Sequence, residues 1–286
     1  SYVVIDLDSG ERVARNDGVA IAGMSLVKIP ILINTYRVLD LPLTAEQEKL
    51  ISETTAQSSN FAANLLLQMI AGKEDAYAGA DVVSQATRDL GVFNTFIAVP
   101  IDADPKPDRL NTVLTPANQR MDITTFADPF RQTTTGDLAT LLNMIYDCAE
   151  NDAGPLRETY GEALSAEECR DLVEKMTLNE LAKLVENGLP DGVPFAHKVG
   201  WIDDTHGDGG IIYSPGGDYV LVMALYSEEW LEWEESAPLS RGGRNRGRSA
   251  VNSETNTSVT TGSSPLSRGF RRRYQKTTRG NTHAIA

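Results

Sequence analysis

Several classes of protein are excluded by what this sequence lacks. No apolar run approaches the roughly 18–20 residues that a membrane span needs. The longest candidate, residues 29–35 with their flanks, is broken by Pro30, Asn34 and Arg37. Only two cysteines, Cys148 and Cys169, and three histidines, His197, His206 and His283, occur in 286 residues. Their spacing fits no zinc pattern, and neither a metal nor an organic cofactor is expected. Basic residues are scarce before residue 241, where 16 Lys and Arg face 39 Asp and Glu for a net charge of −23. Phosphate binding needs basic surface, so no nucleic-acid partner is expected of this acidic body. The chain opens at Ser1 on a strand pattern, without an initiator Met or a basic-plus-apolar leader, which reads as a processed form or a fragment. The two cysteines read either as buried thiols or as one disulfide, and only the disulfide implies an oxidising compartment.

What is present is ordinary globular composition, 41% hydrophobic and 23% charged, in a chain long enough for one large domain or two intimate subdomains. Strand patterns lie at both ends of the body. Residues 2–6 and 11–15 flank an Asp8-Ser9-Gly10 turn, and residues 195–202, 210–213 and 219–226 give a second set with a turn at Pro215-Gly216-Gly217-Asp218. Between them the pattern is helical. Leu26, Ile29, Ile33 and Tyr36 share a face of a helix predicted to open at Ser25, although Pro30 then falls past its first turn. Thr44/Gln47, Ser165/Glu168 and Thr177/Glu180 have the spacing of capping boxes. Thr134 with Asp137 starts a helix striped by Leu138, Leu141, Leu142 and Ile145, and Asn60 precedes an apolar helix closed by Gly72. Asp81 to Leu90 is a further helix, closed by Gly91, and another runs from Leu178 to a stop at Gly188 and Pro190. Residues 92–132 are loop-rich. This order predicts an α/β (α+β) fold: a mixed sheet made by both chain ends, with helices packed on it and an all-α lobe beside it. The expected domain is 1–236, with a sheet part at 1–38 and 190–236 and a helical part at 39–189. A closing helix is expected from Glu228 to about Ser236.

From 237 to 286 the composition turns to Gly, Arg, Ser, Thr and Asn. Residues 241–286 hold ten Lys and Arg against the single Glu254. Such a segment has too little apolar surface to bury and is expected to be a disordered basic tail. It is read as foreign to the fold, the other reading being an Arg–Gly tail that binds RNA or anionic surfaces.

Three small groups of residues carry chemistry. Ser25 and Lys28 stand three apart at a helix start, where i and i+3 share a face and unpaired N–H groups favour developing negative charge. The amine can deprotonate the hydroxyl once burial or positive neighbours lower its pKa. About one Ser-x-x-Lys is expected by chance in a chain this long. The weight comes from Ser58-Ser59-Asn60 before the helix at Phe61, and from Lys198-Val199-Gly200-Trp201 on a later strand. In this order and on these elements, the three groups resemble the active-site signature of class A β-lactamases and penicillin-binding proteins. Asp128-Pro129 and Thr133-Thr134-Thr135 resemble the end of that family's Ω-shaped loop and the cap of the next helix. The resemblance covers roughly residues 2–236.

That resemblance implies a β-lactamase/transpeptidase-like fold, a five-stranded antiparallel sheet flanked by helices plus an all-α subdomain. It also implies roles. Ser25 would be the nucleophile and Lys28 its base, with Ser58 relaying a proton to the leaving nitrogen and Lys198 supplying positive charge. Asn60, Val199, Gly200 and Trp201 would bind substrate, with the N–H groups of Ser25 and Trp201 as the oxyanion hole. The expected partner is a small molecule, a β-lactam or a D-alanyl-D-alanine peptide, met outside the cytoplasm by a monomer. Three departures stand out: Ser59 replaces the usual Asp, Val199 replaces a hydroxyl residue, and no Glu occurs between Glu74 and Glu150 to activate a deacylating water. Asp108, Asp122 and Asp128 are the loop acids considered for that role, with Asp122 the candidate and Asn118 and Gln119 as water holders. A class A β-lactamase-like hydrolase is expected. The alternatives are a D,D-carboxypeptidase or related amidase or esterase, and a non-catalytic sensor.

Overall fold

A computed structural model of the chain describes residues 1–181 and 184–231. The chain divides into two units, Ser1–Gly242 and Gly243–Ala286. The second unit, the basic tail and the greater part of the expected closing helix lie outside the described residues.

The main sheet is antiparallel, in the order β2-β1-β8-β7-β6. Strands β1 (Tyr2–Asp6) and β2 (Arg12–Arg15) form the expected hairpin. Its turn is held by the Asp6 carboxylate, which accepts from the N–H groups of Asp8 and Ser9. Strands β6 (Phe195–Trp201), β7 (Thr205–Ser214) and β8 (Gly217–Tyr226) form a meander. β8 also pairs with β1, matching Val3 to Val222, so the two ends of the body share one sheet. A second, three-stranded sheet accompanies the expected one. It pairs β3 (Ile21–Ala22) and β4 (Phe96–Ile97) with β5 (Arg131–Thr133), strands too short to show a period in sequence.

Seven α-helices occur among the described residues: α1 (Lys28–Tyr36), α2 (Ala45–Thr55), α3 (Asn60–Ala71), α4 (Ala76–Asp89), α5 (Thr135–Asn151), α6 (Pro155–Tyr160) and α7 (Ala166–Met176). α5 packs on β1, β7 and β8 through Leu138, Leu141, Leu142 and Ile145, all fully buried. α1 is buried on every side, as expected of a central helix whose polar residues bond back to the preceding turn: Asn34 Nδ2 donates to Pro30 O and Thr35 Oγ1 to Ile31 O. Cys148 of α5 and Cys169 of α7 form a disulfide, with Cα atoms 5.9 Å apart.

Some boundaries move for physical reasons. The first helix begins at Lys28 rather than Ser25, and residues 24–27 form the turn before it. Pro30 therefore falls within the first helical turn, where its missing N–H leaves no bond unmade. The capping boxes at Thr44 and Ser165 form. Thr177 instead closes α7, its N–H bonding carbonyls of that helix. No α-helix runs from Leu178 to Gly188 among the described residues, where a short 3-10 turn at Glu186–Gly188 stands instead. Leu184 and Val185 are buried there, and the Val185 N–H donates to the Asp208 carboxylate beneath it.

Candidate active site

Ser25 sits where three devices converge. β3 delivers the chain to Gly23, whose N–H bonds Arg131 O on β5 at 2.8 Å. A Cβ on Gly23 would lie 3.0 Å from that same oxygen, so glycine permits the approach. Met24 then takes φ +49°, a left-handed conformation that a side chain adopts with strain. α1 follows and points Lys28 back beneath the serine. Lys28 Nζ lies 3.0 Å from Ser25 Oγ, 3.1 Å from Ser58 Oγ and 2.6 Å from Asn60 Oδ1, and it also donates to Ser58 O. The side chain is fully buried. Burial lowers its pKa to about 7, a fall that the charge of Asp102 partly opposes. At neutral pH a substantial share of this amine is unprotonated and able to take a proton from Ser25.

Ser58 and Asn60 come from the turn before α3 and its first residue. Ser59, not Asn60, is the N-cap, its hydroxyl accepting from Ala62 N at 3.2 Å. Ser and Asp cap helices comparably, so Ser59 fills the structural place of the usual Asp and leaves the Asn60 amide to the site. Ser58 takes φ +57°, which turns its carbonyl as well as its hydroxyl toward Lys28. Among the described residues, Met24, Ser58 and Asp102 make up half of the six non-glycine residues with positive φ, so backbone strain gathers around this amine.

β6 supplies the opposite wall. Lys198 is fully buried rather than a solvated edge charge, and its Nζ donates to Val199 O at 3.0 Å. Burial lowers its pKa to about 7, the nearby charge of Lys28 lowering it further and Asp208 opposing. A Cβ on Gly200 would lie 2.8 Å from Ser25 N, so β6 passes directly against the turn that carries Ser25. Side chains alternate along a strand, which puts Lys198 on the face that Gly200 turns toward Ser25. Val199, wholly buried, lies on the other face with His197. There His197 Nδ1 meets the Asp208 carboxylate at 2.8 Å. Tyr213 N bonds Pro194 O and Ile202 N bonds Thr205 O, so even-numbered residues of β6 pair with β7 and the Trp201 N–H faces outward, away from β7.

The loop acids divide. Asp122 is exposed and held in a fork by Arg120 Nε and Nη2, which lowers its pKa to about 2. None of its hydrogen bonds reaches Ser25, Lys28 or Ser58. Asp128 binds Arg131 at the end of the loop, and Asp108 lies in a 3-10 turn at Pro107–Arg109. Asn118 bonds within the loop, to Thr115 N, Val113 O and Gln132 Oε1, and Gln119 donates to Thr115 O. The acid that does join the site is Asp102, whose Oδ2 accepts from Asn60 Nδ2 at 2.7 Å. It stands outside the three acids considered from sequence, and its only local signal is a place just after Pro100 where the loop begins. Among the described residues no group of three His, Cys, Asp or Glu side chains converges on a metal position.

A five-stranded antiparallel sheet with a helical part, and a serine and lysine at the start of a buried helix, define the serine β-lactamase and penicillin-binding fold. The chain belongs to the beta-lactamase enzyme family, whose profile matches residues 38–241, a span that holds Ser58, Asn60 and Lys198 and begins after Ser25 and Lys28. The structure is similar to that of PBP-A, at 21% identity and TM-score 0.60 over 84% of each chain. It is also similar to a β-lactamase from Sphaerobacter thermophilus, at 19% identity and TM-score 0.60 over 84% of this chain and 87% of that one. An ancestral class A β-lactamase matches at 19% identity and TM-score 0.58, covering 84% and 89%. At these identities the likeness is one of fold. No curated protein matches the chain.

Proposed function

We propose that this chain is a serine hydrolase that opens β-lactam amide bonds through an acyl-enzyme on Ser25. The observation that carries the reading is the position of Lys28: a buried amine with pKa about 7, within 3.0 Å of one hydroxyl and 3.1 Å of another. In this reading Lys28 takes the Ser25 proton as Ser25 Oγ attacks the carbonyl. The same amine, through Ser58, returns a proton to the leaving nitrogen as the C–N bond breaks. Lys198 holds positive charge for the substrate carboxylate, and Asn60 binds the acyl amide. Gly200 lets β6 pass close enough for the N–H groups of Trp201 and Ser25 to hold the oxyanion. The Val199 side chain, wholly buried on the face of β6 away from Lys198, makes no side-chain contact with the carboxylate in this reading. The family and the disulfide favour an extracytoplasmic place of action, and the substrate is a small molecule met by a monomer. Among the described residues no helix is long and apolar enough to cross a membrane.

A second reading, a D,D-peptidase of cell-wall peptides, is favoured by one observation. The segment between Glu74 and Glu150 has no Glu, and Asp122, with pKa about 2 beside Arg120, is a weak base for a deacylating water. A time course with a fluorescent penicillin, followed by intact-protein mass, separates the two. Labelling that appears on the native chain and not on Ser25→Ala is expected. If the adduct decays as hydrolysed product accumulates, the chain is a β-lactamase. If it persists, and D-alanyl-D-alanine peptides are cleaved, it is the peptidase. An unlabelled Ser25 would sink both.

A further inference from the structure

Asp102 has no counterpart among the roles above, yet it is held with more care than a loop surface residue needs. The preceding residue is clamped from both sides, Ile101 N donating to Asn64 Oδ1 at 3.1 Å and Asn64 Nδ2 donating to Ile101 O at 2.7 Å. One residue earlier, Pro100 O accepts from Arg131 Nη1 at 2.9 Å. Asp102 itself takes φ +58°, a conformation that persists in a side-chain-bearing residue only where its surroundings impose it. The result is a carboxylate fixed against Asn60 Nδ2, two side chains away from the nucleophile.

Its charge is not spent on a cation. Asp81, Asp122 and Asp128 are each paired with an arginine at 3.0 Å or less. Among the described residues Asp102 has no ion pair within 4.0 Å, and its one hydrogen bond is the one from Asn60. Lys28, the cation that feels its charge, points its amine at Ser25, Ser58 and Asn60 instead. Asp102 is exposed, so its remaining acceptor sites face outward. The Asn60 amide has two N–H groups. One goes to Asp102, which leaves the other for an amide carbonyl of a bound acyl donor. A carbonyl held there brings the substituent on its α-carbon beside the carboxylate.

We infer that Asp102 forms an acyl-side-chain subsite for a cation, so that the preferred acyl donors carry an ammonium group on the carbon next to the amide carbonyl that Asn60 binds. The inference rests on the acyl-enzyme reading and deepens it by naming the substrate class. A neutral side chain leaves the carboxylate to solvent, and an anionic one is repelled.

The test uses two penicillins that differ only in this group, benzylpenicillin and its α-amino counterpart ampicillin, on the full chain. The rate of Ser25 acylation by each is measured by intact-protein mass, for the native protein and for Asp102→Asn, at low and high salt. Asp102→Asn keeps an oxygen for Asn60 and loses the charge. The readout is the ratio of the two rates, which cancels any general effect of the substitution on Lys28. In the native chain ampicillin is expected to acylate about threefold faster or more, with the preference shrinking at high salt and approaching unity in Asp102→Asn. An equal ratio in the two proteins overturns the subsite. So does an unchanged ratio with an acyl-enzyme that now persists in Asp102→Asn, which would assign Asp102 to water activation. If neither penicillin labels Ser25 in the native chain, the acyl-enzyme reading itself fails and this one with it.

Discussion

Lys28 and Lys198 are two buried amines that the fold holds near pKa 7 rather than the ordinary 10.5, and they ask for opposite protonation states. In the proposed reaction Lys28 serves as a base only when neutral, and Lys198 attracts a carboxylate only when charged. The rate of Ser25 acylation is therefore expected to rise with pH through about 7 as Lys28 loses its proton, and to fall again as Lys198 does. A narrow bell should be seen in stopped-flow labelling, with apparent pKa values that belong to the pair because the two charges interact. Stability follows the same shifts. A folded-state pKa below the unfolded value means that the unfolded chain binds the proton more tightly. Each lysine therefore penalises folding below about 7, and the penalty fades as pH climbs towards 10.5. Lys198, whose Nζ bonds the Val199 carbonyl, is the cleaner test. Lys198→Met is expected to raise stability at pH 7 by about 1–2 kcal/mol in urea unfolding while slowing acylation.

At the scale of elements, glycine decides how closely helix and strand approach. α4 crosses α3 at Gly79, where a Cβ would fall 1.9 Å from Leu67 O. That oxygen is backbone and has no rotamer to give. Gly79→Ala is expected to lower the unfolding free energy by about 2–3 kcal/mol or more, as an overpacked contact does. Gly72→Ala, at the end of α3 with φ +64° and nothing within 4 Å, should cost only about 1 kcal/mol from backbone strain. Thermal melts of the two variants distinguish contact from conformation. The caps show where local pattern suffices. Thr44/Gln47 and Ser165/Glu168 have the same spacing as Thr177/Glu180, but the first two precede an unclaimed helix start. Thr177 is already claimed by the end of α7, and the chain after it is drawn to Asp208 by Val185 N, a partner 23 residues away that no local window contains.

The whole body is closed in two ways. β1 lies between β2 and β8, so residues 2–6 and 217–226 fold as neighbours. The Cys148–Cys169 disulfide closes a loop of 21 residues between α5 and α7. Restraint of a loop that length in the unfolded chain contributes about 3 kcal/mol, and the paired change to alanine should lower the melting temperature by several degrees without altering which residue a penicillin labels. The sequence by itself determined the strand–helix–strand order, the hairpins and two of the three capping boxes, because these depend on local period, and it singled out Ser25, Lys28, Ser58, Asn60 and Lys198 as candidates by short motifs, of which the first four meet at the Lys28 amine. Tertiary structure alone decided that Ser25 precedes its helix, that Ser59 caps α3, that the two cysteines pair, and that three short strands form a second sheet. It also gave the loop acids different neighbours. Asp122 and Asp102 are alike as letters, and what separates them is Arg120 beside the one and Asn60 beside the other, contacts made across space by a loop whose path no periodicity specifies.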